Sequence, residues 1–219
     1  PLSYVSLRGE LASVVLAGMD TTGHQLGWLL AMLASHPYVV DKLLEELKEH
    51  GLYGPGARDV TFEDLGELSY LSAVIKEGAR IAHIAGASIS REVPEDMVIL
   101  GYRVPKGTTI LVPSNRSLSS EAVWGDPESV RPERWLTDED MSNKYFRLFS
   151  AGPRDCAGQK LAMLELRFAI VKLLTKYKLS MDVPFHDLLE NTVEGVVVEA
   201  KEGIWLRASP REAPDSVRA

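Results

Sequence analysis

The sequence predicts a mainly α-helical fold with a small β part, and three observations carry that reading. Apolar residues recur at helical spacing over residues 3–35, 37–50, 69–83 and 156–177. The stretch "MVILGYRVPKGTTILVP", residues 97–113, changes period and is rich in β-forming residues. Residues 113–155 are rich in Pro, Gly, Asp and Trp and read as mostly irregular. A loop of that length is uncommon in a compact domain and usually functional.

Each element follows from its residues. In the first helix the apolar positions are Leu7, Leu11, Val14 and Val15, then Leu26, Leu29, Leu30 and Leu33. His36-Pro37 ends it, and Pro37 suits the first position of a second helix. That helix runs to about His50 and turns Val40, Leu43, Leu44 and Leu47 inward. "GLYGPGARD" is a loop, and Thr61 with Asp64 resembles a capping box for a short helix. Leu71, Val74, Ile75 and Ala79 form the stripe of the third long helix. Pro105-Lys106-Gly107 is a turn signal within the β-rich stretch. The last long helix, from Cys156 to about Tyr177, carries Leu161, Leu164, Phe168 and Val171 on one face. Short strands are expected at 193–199 and 203–207, and residues 209–219 read as a disordered tail. There is no internal repeat.

Bulk properties narrow the function. The chain has 219 residues, 45% hydrophobic and 25% charged, with a net charge of −7. An acidic chain without a basic stripe argues against a nucleic-acid partner. One cysteine excludes an internal disulfide and a CxxC metal or redox site. No apolar run is long enough to span a membrane. The chain opens on Pro1, directly before a helical pattern, so it is expected to be a fragment.

The chemistry concentrates in two stretches. "FSAGPRDCAG", Phe149–Gly158, holds the only cysteine at the mouth of a helix. Free N–H groups at such an end stabilise a thiolate. Gly152 and Gly158 let the backbone approach something flat or bulky, and Arg154 can meet an anion. A buried structural cysteine is the plainer alternative. A phosphatase-like nucleophile is disfavoured, because there the Cys precedes the Gly and Arg. The second stretch, "AGMDTTG", places Gly18, Asp20, Thr21 and Thr22 inside a helix where such residues are poor formers. It reads either as a tolerated solvated stripe or as a local opening where an acid and an alcohol relay protons.

The spacing Phe149-x-x-Gly152-x-Arg154-x-Cys156-x-Gly158, followed by Ala162 and Glu165, resembles the haem-binding signature of the cytochrome P450 family. Ala17-Gly18-x-Asp20-Thr21-Thr22 resembles that family's oxygen-activation motif. The resemblance implies a cytochrome P450 fold, C-terminal half only. Residues 1–208 would be an incomplete haem domain, with 209–219 as tail. It implies haem b as cofactor, with Cys156 as proximal iron ligand, Phe149 near the sulfur, and Arg154 on a propionate. Asp20 and Thr21 would serve as the catalytic proton-delivery pair.

The family also carries a Glu-x-x-Arg pair joined by an arginine from a later "PER" segment. Here these are Glu77, Arg80 and Arg134, implying a buried ionic cluster of structural role. As a pattern ExxR is weak, for Glu128 and Arg131 repeat it. Arg91 stands where a second propionate-binding arginine is often found, and otherwise reads as a surface residue. His24, His36, His50, His83 and His186 show no ligand spacing. Lys144, Arg147 and Lys160 flank the cysteine loop as a docking patch for an electron donor, or as an ordinary solvated face.

The implied reaction is haem-thiolate monooxygenation, one oxygen atom of O₂ entering a small, apolar organic substrate. Electrons would come from NADPH through a partner reductase. Rearrangement of hydroperoxides without O₂, and a non-catalytic truncated haem-binding fragment, stay open beside it. The N-terminal part of the longer protein is expected to attach it to the endoplasmic reticulum membrane. Without that part Leu11, Val15 and Leu26 should be exposed.

Overall fold

A computed structural model of the chain describes residues 3–85, 90–112, 114–137, 145–195 and 197–211; the side chains of Ser114 and Asn115 lie outside this description. Helix α1 runs Tyr4–Ser35 without a break. Ser3 starts it by accepting a bond from the Ser6 amide at 3.1 Å. Its two halves differ. Residues 3–19 are exposed, whereas Gln25, Trp28, Leu29, Ala31, Met32 and Leu33 are buried. Leu7, Leu11, Val14 and Val15 therefore lie in solvent despite their helical spacing. Leu26 departs from the expectation of exposure: it is half-buried against the core.

Helix α2, Pro37–Glu49, buries Val39, Val40, Leu43, Leu44 and Leu47. Short α3, Asp64–Glu67, leads into α4, Ser69–Ile81. The Thr61–Asp64 capping box is present. The Asp64 carboxylate accepts from the Thr61 amide at 2.8 Å, and the Asp64 amide faces Thr61 Oγ1 at 3.4 Å. Glu46 of α2 accepts from the amides of Tyr70 and Leu71, at 2.6 and 2.9 Å. A carboxylate there satisfies free N–H groups and complements the positive end of α4. α4 meets α1 at Gly78, where an added Cβ would sit 2.3 Å from Leu29 Cδ2. Only glycine lets the two helices approach this closely.

Residues 113–155 are less irregular than the composition suggests. The described part contains α5, Ser114–Leu118, α6, Glu121–Trp124, and α7, Arg134–Thr137. Leu118, Trp124, Trp135 and Ala73 of α4 form a second small core. The last long helix, α8, is Gln159–Leu174, so Cys156 precedes it rather than opening it. Its inward face is as expected in part. Val171 is buried and Leu164 half-buried against the core, joined by buried Leu166, Ile170 and Leu174, while Leu161 and Phe168 are exposed. The spacing of Leu166, Ile170 and Leu174 by four is the one that meets α1 and α4, and Phe168 lies instead under Lys172 Nζ, 5.6 Å from its ring centre.

Among the described residues the strands form four antiparallel pairs. β1, Arg91–Glu92, pairs with β4, Thr109–Ile110, and β2, Met97–Ile99, with β3, Tyr102–Val104. Leu100 and Gly101 make the β2–β3 turn with φ of 50° and 87°, both left-handed, as a two-residue hairpin demands. β5, Tyr177–Ser180, pairs with β8, Arg207–Pro210. β6, Thr192–Glu194, pairs with β7, Val198–Ala200. The strand expected at 193–199 is thus the two arms of a hairpin. The one expected at 203–207 starts only at Arg207, where β5 supplies a ladder. Ser209 and Pro210 belong to that strand, and the Arg211 amide donates to the Lys176 carbonyl at 2.8 Å, so the expected tail is ordered to that point. Residues 212–219 lie outside the described residues. Helix α9, Phe185–Glu190, buries Phe185 and Leu188. Among the described residues, no helix is long and apolar enough to cross a membrane.

Candidate functional site

The ionic cluster is fully assembled. Glu77 and Arg80, on one face of α4, are 0% and 3% exposed. Arg80 donates to both Glu77 carboxylate oxygens, Nε and Nη2 each at 2.9 Å. Arg134 Nε donates to Glu77 Oε1 at 3.1 Å. Two further donors were not evident from the motif: the Arg131 amide at 2.8 Å and Trp135 Nε1 at 2.9 Å. Remaining guanidinium hydrogens reach the carbonyls of Leu118, Pro127 and Ser129 from Arg80, and of Trp124 and Asp126 from Arg134. Both guanidinium groups also lie over the Trp124 ring, at 5.2 and 5.7 Å. Burial holds the Arg134 guanidinium below its ordinary value, against the pull of Glu77. Of the two ExxR matches, only the first makes a buried side-chain pair. Arg131 of the second enters through its backbone.

The cysteine loop has the opposite character. Cys156 is exposed, two residues before the Gly158 cap of α8. The Cys156 amide donates to the Phe149 carbonyl at 2.9 Å, and the Asp155 amide to the Gly152 carbonyl at 3.1 Å. These bonds close the loop on itself. Gly152 has φ of 84° with open space where a Cβ would stand. A Cβ on Gly158 would sit 3.8 Å from Cys156 Sγ. Arg154 is exposed and Phe149 half-buried. The plainer reading of Cys156 as a buried structural cysteine does not hold, since the residue is exposed. Arg91 in β1 is exposed and donates to the Ser90 carbonyl at 3.1 Å. Arg147 and Lys160 are exposed beside the loop, and Lys144 lies outside the described residues.

The Ala17–Thr22 stretch shows no local opening of α1. Thr21 Oγ1 donates to the Ala17 carbonyl at 2.6 Å, one turn back, so the hydroxyl bends to the helix instead of breaking it. Gly18 has open space at its Cβ position. Asp20 is partly exposed and lies 3.4 Å from His24 Nδ1. Beside them is a cleft of about 320 Å³ lined by Asp20, His24, Trp28, Glu199 and Ile204 among others. No group of three or more His, Cys, Asp or Glu is placed to hold a metal ion among the described residues.

Comparison with known proteins decides the family. The family model described as Cytochrome P450 matches residues 1–207. The chain belongs to the cytochrome P450 family. Cytochrome P450 4ae1 of Drosophila melanogaster is 35% identical over 96% of this chain and 42% of its own length. Leukotriene-B4 omega-hydroxylase 3 of Mus musculus is 33% identical over 97% of this chain and 40% of its own. Cytochrome P450 3A12 of Canis lupus familiaris is 31% identical, covering 96% and 41%. The chain thus spans about two fifths of the length of these P450 relatives.

Proposed function

We propose that these residues are the C-terminal part, residues 1–208, of the haem domain of a haem-thiolate monooxygenase. The observation that carries this reading is the lone cysteine held outward on a self-bonded loop, at P450 spacing from Phe149, Gly152, Arg154 and Gly158. The residues present fit the macrocycle: the thiol is open, both glycines leave room, and the Gly18 face of α1 is bare. Cys156 Sγ would hold the iron, with Phe149 shielding the sulfur. Arg154 and Arg91, both exposed cations, would bind propionates. When bound, the haem supplies the centre at which O₂ is split, and a thiolate ligand favours that cleavage.

The chain's own catalytic work is proton handling. The Asp20 carboxyl would take a proton from solvent and pass it inward. Thr21 Oγ1 would leave the Ala17 carbonyl and pass a proton on, receiving one from Asp20 as it gives up its own, so that its hydroxyl is restored. Glu77, Arg80 and Arg134 have no part in the chemistry and hold the α5–α7 segment in place. From the relatives, one of which is named an omega-hydroxylase, we carry over the reaction class, hydroxylation of a small apolar organic molecule. Electrons would arrive from NADPH through a reductase, with Arg147 and Lys160 as candidates for its docking face. Attachment to the endoplasmic reticulum membrane would lie in a segment beyond this chain.

The test is oxygen consumption by the haem-loaded protein with NADPH and a purified reductase. Thr21→Ala should keep consuming NADPH while product falls by about 10²-fold or more, the range of general acid catalysis. Full activity in Cys156→Ala would end the reading.

A further inference from the structure

His24 sits one turn after Asp20 on α1, at the rim of the cleft. Its Nδ1 lies 2.8 Å from the Asp20 carbonyl oxygen and 3.4 Å from Asp20 Oδ1. Its Nε2 lies 3.6 Å from Glu199 Oε1, on β7. Each ring nitrogen thus has a carboxylate oxygen within 4 Å, one on the helix and one from a strand far along the chain, while the hydrogen bond of Nδ1 is to the Asp20 carbonyl. The backbone next to Glu199 is anchored on α1. The carbonyl of its neighbour Val198 accepts from Trp28 Nε1 at 3.1 Å, and the Val198 amide donates to the Ile84 carbonyl at 2.7 Å. Side-chain exposure rises outward, from about a third for Asp20 and His24 to 53% for Glu199.

We propose that His24 is a positioning residue that supplies protons to Asp20 from Glu199 and the solvent in this cleft, an inference resting on Asp20 as the proton-delivering acid. The step balances within the ring. The O–H bond of the Glu199 carboxyl, or of a hydronium ion in the cleft, breaks and its proton forms the Nε2–H bond, leaving a carboxylate or water. The Nδ1–H leaves the Asp20 carbonyl for Oδ1, the Nδ1–H bond breaks, and that proton forms the O–H bond of Asp20 Oδ1. No electrons move. After Asp20 delivers its proton, exchange of both ring nitrogens with cleft water restores Nδ1–H. An asparagine or glutamine at position 24 keeps a hydrogen-bonding group but cannot carry the proton through. A merely structural histidine would be replaceable by either.

Two readouts test this. In the haem-loaded protein with NADPH and a purified reductase, His24→Gln should divert electrons from product to hydrogen peroxide. Product per NADPH should fall about tenfold, at the low end of general acid–base effects. The solvent deuterium isotope effect on product formation should rise, and His24→Gln added to Asp20→Asn should cost nothing further. Independently of activity, Asp20→Asn and Glu199→Gln should each shift the His24 ring resonances in the ¹⁵N spectrum more than those of the other four histidines. Unshifted His24 signals, or full coupling with an unchanged isotope effect in His24→Gln, overturn the proposal. If Asp20→Asn itself leaves coupling intact, the failure belongs to the underlying reading of Asp20. Lost coupling in Asp20→Asn with none in His24→Gln fails the inference alone.

Discussion

The Glu77 cluster and the Cys156 loop carry the chain's two charged motifs, and they are finished in different ways. Glu77 is fully buried and receives five donors from four residues, all within the chain. Cys156 and Arg154 are exposed, and among the described residues the hydrogen bonds recorded for their loop are short-range backbone ones. The same contrast runs along α1, closed over Gln25–Leu33 and bare over residues 3–19. A structural motif must satisfy every buried polar group internally, because each one left over costs free energy. A motif built for a ligand leaves its groups unpaired. On the proposed function, the closed cluster is the support and the open loop is the side left for a ligand.

The comparison breaks most readily at the cluster. Glu77→Ala strands two arginines and should destabilise the fold by about 3–5 kcal/mol, read as a shift in the denaturation midpoint. Trp135→Phe removes one donor from Glu77 Oε2, and the loss should be about 1 kcal/mol. A smaller effect belongs to Asp64, whose carboxyl is held well below the ordinary carboxylate range by Arg58 and the Thr61 amide. Because the folded value is depressed, this contribution is present above pH about 4 and disappears as the pH falls below it. Asp64→Asn should therefore flatten the acid limb of the stability profile while lowering stability at neutral pH. Smallest of all, Cys156→Ala should change stability by no more than about 0.5 kcal/mol. A large loss there would mean the loop is structural after all.

Much of this was legible in the sequence, for identifiable reasons. The stripes of α2 and α4 read correctly because those helices pack against neighbours in this chain. The first half of α1 has the same period, yet none of the described residues covers it, so periodicity alone overstates its burial. On α8 Leu164 and Val171 read correctly and Leu161 and Phe168 did not, because helical spacing buries a residue only where a neighbour packs against it. Glu77, Arg80 and Arg134 could be found from motif order. Trp135 was adjacent to one of them, and its buried indole N–H needed a partner, which was the available signal. Nothing local could have joined His24 to Glu199, since only the hairpin packed on Trp28 brings β7 to α1. The β2–β3 turn was missed because Leu100, unlike Asn or Asp, gives no warning of a left-handed backbone.

In the proposed function the Cys156 sulfur is the ligand of haem iron. The most direct test is the absorption spectrum of the full-length, haem-loaded protein that contains this chain, after reduction and addition of carbon monoxide. The thiolate-type Soret shift is expected in the unaltered protein and is lost in Cys156→Ala, whose fold is unchanged by circular dichroism. An unaltered protein that holds haem without that shift, or a Cys156→Ala variant that retains it, would contradict the proposal.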